Sequence, residues 1–106
     1  MRPGLSDFLI ELSEWYELVL FTAATRQYAD YFLGHIDPRG LFSNDKILSR
    51  EHCSRVDGYA FDIKDLTRLG RDLATTIIVD NLSENFEKTT PDNGIQILDF
   101  EDNFAD

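Results

Sequence analysis

Glu17-Leu18-Val19-Leu20-Phe21-Thr22 is a short apolar run, opened by a carboxylate and closed by a hydroxyl. It does not alternate, so it reads as a strand covered on both faces, as strands of parallel sheets are. Three residues further on, Thr25 is placed to cap a helix. In that helix Ala29, Phe32, Leu33 and Ile36 form the apolar face, which runs out near Asp37-Pro38-Arg39-Gly40. A buried strand feeding directly into a helix is the βα winding of an α/β fold.

Upstream, Leu5, Phe8, Leu9, Leu12 and Tyr16 fall on one helical face while Asp7, Glu11 and Glu14 take the other, just after a Pro-Gly turn. Trp15 and Tyr16 are expected to pack. Downstream, Lys46–Cys53 and Tyr59–Ile63 flank the turn-like Val56-Asp57-Gly58 and are expected to pair as an antiparallel hairpin insert. Leu66, Leu69 and Leu73 mark a short helical stretch. Thr76-Ile77-Ile78-Val79-Asp80 is a second buried strand, this one ending in a carboxylate. A polar loop through Pro91-Asp92-Asn93-Gly94 leads to a third short strand, Ile95–Leu98, and an acidic tail. There is no repeat and no linker, so 1–106 reads as one domain.

The chain has 106 residues, of which 42% are hydrophobic and 28% charged, within the ordinary globular range. Ten Lys and Arg against 20 Asp and Glu leave a net charge of -10, which repels a phosphate backbone or an anionic membrane. Neither nucleic acid nor membrane is therefore expected as a partner. The longest apolar runs are far shorter than the roughly 18 residues of a membrane span. The single cysteine, Cys53, allows no internal disulfide, in keeping with a reducing compartment. His35, His52 and Cys53 do not form a metal set, because neighbours on a strand face opposite ways and His35 lies on a separate helix.

Ligands of open α/β sheets sit beyond the carboxyl ends of the strands. Two strands here end in polar groups, Thr22 and the pair Asp80-Asn81. A hydroxyl can donate to a phosphoryl oxygen, an Asp-Asn pair offers the hard oxygens that Mg²⁺ takes, and Lys64 could add positive charge. The same residues also serve as strand-end caps and turn formers.

The motifs around these positions carry a resemblance. Arg2-Pro3-Gly4-Leu5, Trp15 through Ala24 with Tyr28-Ala29-Asp30, Ser49-Arg50-Glu51-His52-Cys53, Ile63-Lys64-Asp65-Leu66, Leu69-Gly70-Arg71-Asp72-Leu73, Ile78-Val79-Asp80-Asn81 and Pro91-Asp92-Asn93-Gly94-Ile95 run through nearly the whole chain. Together they resemble the FCP/SCP-type (NLI-interacting-factor-like) protein serine/threonine phosphatases of the haloacid dehalogenase superfamily. The resemblance implies a Rossmann-like fold, a mostly parallel sheet flanked by helices. It implies Mg²⁺-dependent removal of phosphate from a phosphoserine or phosphothreonine protein through a phosphoaspartate. In that chemistry Thr22 and Lys64 hold the transferring phosphoryl group, Arg50 lies near the substrate phosphate, and Asp80 and Asn81 hold the metal. A nuclear or cytoplasmic location is the matching expectation.

One motif departs. The family's first strand ends in Asp-x-Asp-x-Thr, whose first Asp is the nucleophile and second the general acid/base. No Asp-x-Asp occurs here, and in the nearest imitation, Asp62-Ile63-Lys64-Asp65-Leu66-Thr67, the carboxylates stand three apart. That strand would precede Arg2 and form the middle of the sheet, and the family's closing helix would follow Asp106. Without the strand, facing edges keep unpaired backbone groups. Each costs about 1–3 kcal/mol when buried, against a total stability of roughly 5–15 kcal/mol. The chain alone is expected to be inactive, weak for Mg²⁺, and marginal or altered in pairing unless a donated strand or self-association fills the gap.

Two other readings compete. A non-catalytic binding module, similar to the mitochondrial inner-membrane translocase receptor that shares this domain, departs from the family at the segments that here read Phe21-Thr22-Ala23 and Val79-Asp80-Asn81, which favours the enzyme. A phosphorelay receiver would need its acidic cluster and phosphorylated Asp before Thr and Lys, whereas the order here is Thr22, Lys64, Asp80.

Overall fold

In a computed structural model that describes residues 4–37 and 40–98, the chain forms two compact units, divided after Glu51. The Pro38-Arg39 part of the expected turn and the acidic tail from Asp99 on lie outside the described residues.

The first unit is built from α1 (Leu5–Ser13), β1 (Leu20–Phe21), α2 (Arg26–Ile36) and β2 (Ile47–Leu48). β1 and β2 are parallel, with Leu20 beside Ile47 and Phe21 beside Leu48, and α2 is the crossover between them. This is the βα winding that the apolar run and Thr25 predicted. The Thr25 hydroxyl accepts the Tyr28 N–H at 3.3 Å and starts α2. At the other end the Asp37 carboxylate accepts the N–H groups of Leu41 (2.7 Å) and Phe42 (2.9 Å), turning the chain away. Ala29 and Leu33, one turn apart on α2, meet Ile47 in the buried core, with Leu5 and Leu9 of α1 packed against it. α1 lies on this core rather than in it, and none of its residues is fully buried. Trp15 and Tyr16, expected to pack, are instead 77% and 63% exposed: α1 stops at Ser13, so neither shares the face of Leu5 and Leu9.

The second unit holds the parallel pair β3 (Ile78–Asp80) and β4 (Gly94–Gln96), with Val79 beside Ile95 and Asp80 beside Gln96. Its interior mixes apolar side chains (Ile63, Leu66, Phe86) with polar ones (Lys64, Asp80, Asn85, Thr90). The expected short helix over Leu66–Leu73 is two single 3₁₀ turns, Leu66–Arg68 and Leu73–Thr75. Each is capped by an Asp, Asp65 onto Thr67 and Asp72 onto Ala74. Asn93 donates to the carbonyls of Leu73 and Thr76, both at 2.7 Å, and so ties the turn before β4 to the segment entering β3. Gly94 is required by close approach: a Cβ there would stand 1.9 Å from the Phe86 ring.

The hairpin insert is a correction. Lys46–Cys53 and Tyr59–Ile63 do not pair along their length. Ile47 and Leu48 join β1 in parallel instead, and a single antiparallel bridge joins Ser54 and Ile63 through two hydrogen bonds of 2.8 Å. The turn itself exists, with Tyr59 N–H on the Val56 carbonyl and Gly58 at φ 82, but residues 55–62 form too wide a loop for a tight hairpin. Burial decides the partner: beside β1, Ile47 is buried against Ala29 and Leu33. Among the described residues the strands form two two-stranded parallel sheets rather than one. No helix among them is long and apolar enough to cross a membrane.

Candidate active site

Thr22 follows β1 immediately, and its N–H extends the ladder to the Leu48 carbonyl at 2.9 Å. Its hydroxyl oxygen accepts the Ala24 N–H at 3.1 Å, which curls residues 22–24 into a small turn at the carboxyl end of the strand. Arg50, 27 residues on from Ala23, is fastened to this same turn. Its backbone N–H reaches the Ala24 carbonyl (2.8 Å) and its Nε reaches that of Ala23 (2.9 Å). The first unit therefore brings Thr22 and Arg50 together. Beside them, Leu20, Thr22, Tyr28, Ala29 and Phe32 line a mostly apolar cavity of about 160 Å³.

The second unit brings Lys64 and Asp80 together. Lys64 follows the Ser54–Ile63 bridge, and its Nζ donates to Asp80 Oδ2 at 2.7 Å. The two side chains are 10% and 6% exposed. Asn85, in the 3₁₀ turn Ser83–Asn85, donates its Nδ2 to the same carboxylate oxygen at 3.0 Å, and its carbonyl accepts the Lys64 N–H at 2.8 Å. The other oxygen, Asp80 Oδ1, accepts the Leu82 N–H at 3.2 Å. Burial on its own would raise the Asp80 carboxyl. The hydrogen bonds from Lys64 and Asn85, with the Lys64 charge and the Leu82 N–H, outweigh it and hold the group below its ordinary value. Asn81 is exposed next door, and its carbonyl accepts Gln96 Nε2 at 3.2 Å.

Asn85 is the one member of this network that the sequence reading misses. Five residues from Asp80 in a polar loop, it carries no periodic signal; only the turn at Ser83–Asn85 brings it back. His35 Nδ1 pairs with the Tyr31 carbonyl one turn earlier on α2. Among the described residues no three His, Cys, Asp or Glu gather into a metal-binding group.

Asp80 and Asn81 are oxygen donors of the kind Mg²⁺ takes, and among the described residues Asp80 Oδ1 accepts one hydrogen bond, which leaves it a lone pair. Mg²⁺ is commonly held by one or two carboxylates, with waters and substrate phosphate completing its shell. The residues present fit such an ion as a partial shell.

A parallel βαβ unit whose first strand leads into Thr22 and a second parallel strand pair ending at the buried Asp80 are those of an α/β fold. A family model described as NLI interacting factor-like phosphatase matches residues 1–106, and the chain belongs to that family, of the FCP/SCP haloacid dehalogenase type. Similar proteins include the mitochondrial import inner membrane translocase subunit TIM50 of Kluyveromyces lactis, 40% identical over 91% of this chain and 19% of the relative. Another is the human carboxy-terminal domain RNA polymerase II polypeptide A small phosphatase 1, 38% identical over 99% of this chain and 38% of the relative. The fission yeast RNA polymerase II CTD phosphatase Fcp1, in a variant bound to beryllium fluoride, matches 95% of this chain and 26% of its own at a TM-score of 0.76 and 30% identity. The chain thus spans well under half the length of each of these proteins.

Proposed function

We propose that residues 1–106 are part of a Mg²⁺-dependent phosphoprotein serine/threonine phosphatase domain. The observation that carries this reading is the buried Lys64–Asp80 pair at the carboxyl end of β3, held from behind by Asn85. A cation and a carboxylate fixed at a strand end serve phosphoryl transfer, in which catalysis is mostly positioning and charge stabilisation. The family model runs through both units, which supports treating 1–106 as one phosphatase-like domain.

In this reading Thr22 donates its hydroxyl to a phosphoryl oxygen, and Lys64 offsets the charge that spreads over the equatorial oxygens. Arg50, anchored to residues 23 and 24, orients the substrate phosphate. Asp80 and Asn81 hold Mg²⁺, which when bound acts as a Lewis acid on the phosphoryl group. The nucleophile and the acid/base come from an Asp-x-Asp-x-Thr strand that is not among these 106 residues. The separate β1–β2 and β3–β4 ladders support this, because two-stranded sheets keep open edges along which a further strand can pair. A strand-donating partner or self-association would serve the same edges. The substrate class is a phosphorylated protein segment, in line with the names of the CTD phosphatase relatives.

A non-catalytic binding module is the second reading. One observation favours it: the 40% identity to the translocase subunit. Hydrolysis of para-nitrophenyl phosphate with Mg²⁺ separates the two. The phosphatase reading expects no turnover by the 106-residue chain, and turnover once an Asp-x-Asp-x-Thr strand is joined ahead of it that Asp80→Asn abolishes. A joined strand that gives no turnover and no tighter Mg²⁺ binding supports the binding module.

A further inference from the structure

Asn85 is 5% exposed, and a buried amide of this kind is costly unless its polar atoms are used. Its side-chain Nδ2 donates to Asp80 Oδ2 at 3.0 Å, and its backbone carbonyl accepts the backbone N–H of Lys64 at 2.8 Å, so the residue touches both members of the candidate site. The orientation of the amide is set by its partner, since an ionised carboxylate only accepts.

We propose that Asn85 is the positioning residue of the site, fixing the Asp80 carboxylate so that Oδ2 is turned to Lys64 and Oδ1 is left to a divalent cation. This rests on the phosphatase reading for the cation but not for the geometry. Lys64 alone cannot set the carboxylate plane: an ammonium on a flexible four-carbon stem is a point charge that tolerates many angles. The short, planar Asn85 amide does not. With Lys64 and Asn85 both on Oδ2 and the Leu82 N–H on Oδ1, the carboxylate has donors on both oxygens and, among the described residues, one remaining lone pair on Oδ1, next in sequence to Asn81. Partners that orient metal ligands in this way are commonly worth about 10–100-fold in metal affinity.

The test uses the isotopically labelled 106-residue chain at neutral pH, with Mn²⁺ as the probe ion. In the wild type, Mn²⁺ is expected to broaden the amide signals of Asp80, Asn81 and Leu82 selectively. Asn85→Leu, similar in volume but with no donor, is expected to weaken this about tenfold or more. It should also shift the Asp80 carboxyl ¹³C signal and lose the slowly exchanging Lys64 ammonium signal, with the amide spectrum of residues 4–37 unchanged. A variant with wild-type carboxyl, ammonium and Mn²⁺ behaviour overturns the proposal. A wild type without Mn²⁺ broadening whose carboxyl and ammonium signals still change on substitution keeps Asn85 as the positioning residue and removes the metal reading. Should Asn85→Leu fail to fold, Asn85→Ser supplies the same comparison: the carboxyl shift must move for the proposal to stand.

Discussion

Nζ of Lys64 lies 2.7 Å from Oδ2 of Asp80, sixteen residues further along the chain, with both side chains almost withdrawn from solvent. A charge pair in such a place is costly to bury and more costly to break. Lys64→Met should destabilise the chain by about 3 kcal/mol, because Asp80 then keeps its charge without its counter-ion. Lys64→Met combined with Asp80→Leu should recover most of that loss, since neither charge remains. Urea midpoints of the two variants check this; a single variant within about 0.5 kcal/mol of wild type, the range of ordinary surface changes, would mean the pair is not held in solution.

The depressed Asp80 carboxyl gives the chain an acid-sensitive element. A group whose folded value lies below its unfolded one stabilises fully above the unfolded value, here 3.8, and loses that contribution as pH falls through the folded value. Wild type should therefore lose stability more steeply than Asp80→Asn as pH is lowered below the unfolded value. Chemical unfolding at a series of acid pH values tests it, and parallel curves would contradict it.

Gly94 is needed for space rather than for backbone freedom, since its φ of -101 suits any residue. Gly94→Ala should cost about 1–3 kcal/mol by forcing the buried Phe86 ring aside. Phe86→Leu in the same chain should lessen the penalty of the alanine, which a double-mutant cycle would show as coupling. Additive effects would contradict the close approach.

Asn93 links two carbonyls that no strand ladder reaches. Asn93→Ala should cost about 1 kcal/mol, mostly through the part-buried Thr76 carbonyl, since the Leu73 carbonyl also accepts the Thr76 N–H. Faster amide exchange near Thr76 and Gly94, with α2 unaffected, is the expected signature; uniform exchange through both units would contradict it.

The parts of this fold that are legible in the sequence are those set by neighbours in the chain. The run ending at Thr22, the Thr25 cap and the α2 face through Ala29 and Leu33 depend on local spacing, as does the strand ending at Asp80, which is not the buried strand expected: Ile77 and Val79 are 61% and 51% exposed. Pairing partners are not local. Ile47 and Leu48 read equally well as a hairpin arm or a parallel strand, and only burial against Ala29 and Leu33 decides. The site divides in the same way. Thr22 and Asp80 stand at strand ends, where pattern alone can suggest them, and Lys64 is suggested by its place after Ile63 and by the motif Ile63-Lys64-Asp65-Leu66. Asn85 acts only through a turn that folds it back onto Asp80.

In the proposed reading, Thr22, Lys64, Asp80 and Asn81 serve phosphoryl transfer to a carboxylate supplied by an Asp-x-Asp-x-Thr strand. Intact mass of the chain joined to that strand, quenched in acid after brief exposure to a phosphoserine peptide and Mg²⁺, tests it most directly. One added phosphoryl group is expected on the first Asp of the strand, absent in Lys64→Met and Asp80→Asn. A strand that stays unmodified while the chain is folded and the peptide bound, or a phosphoryl group that persists in both variants, would contradict it.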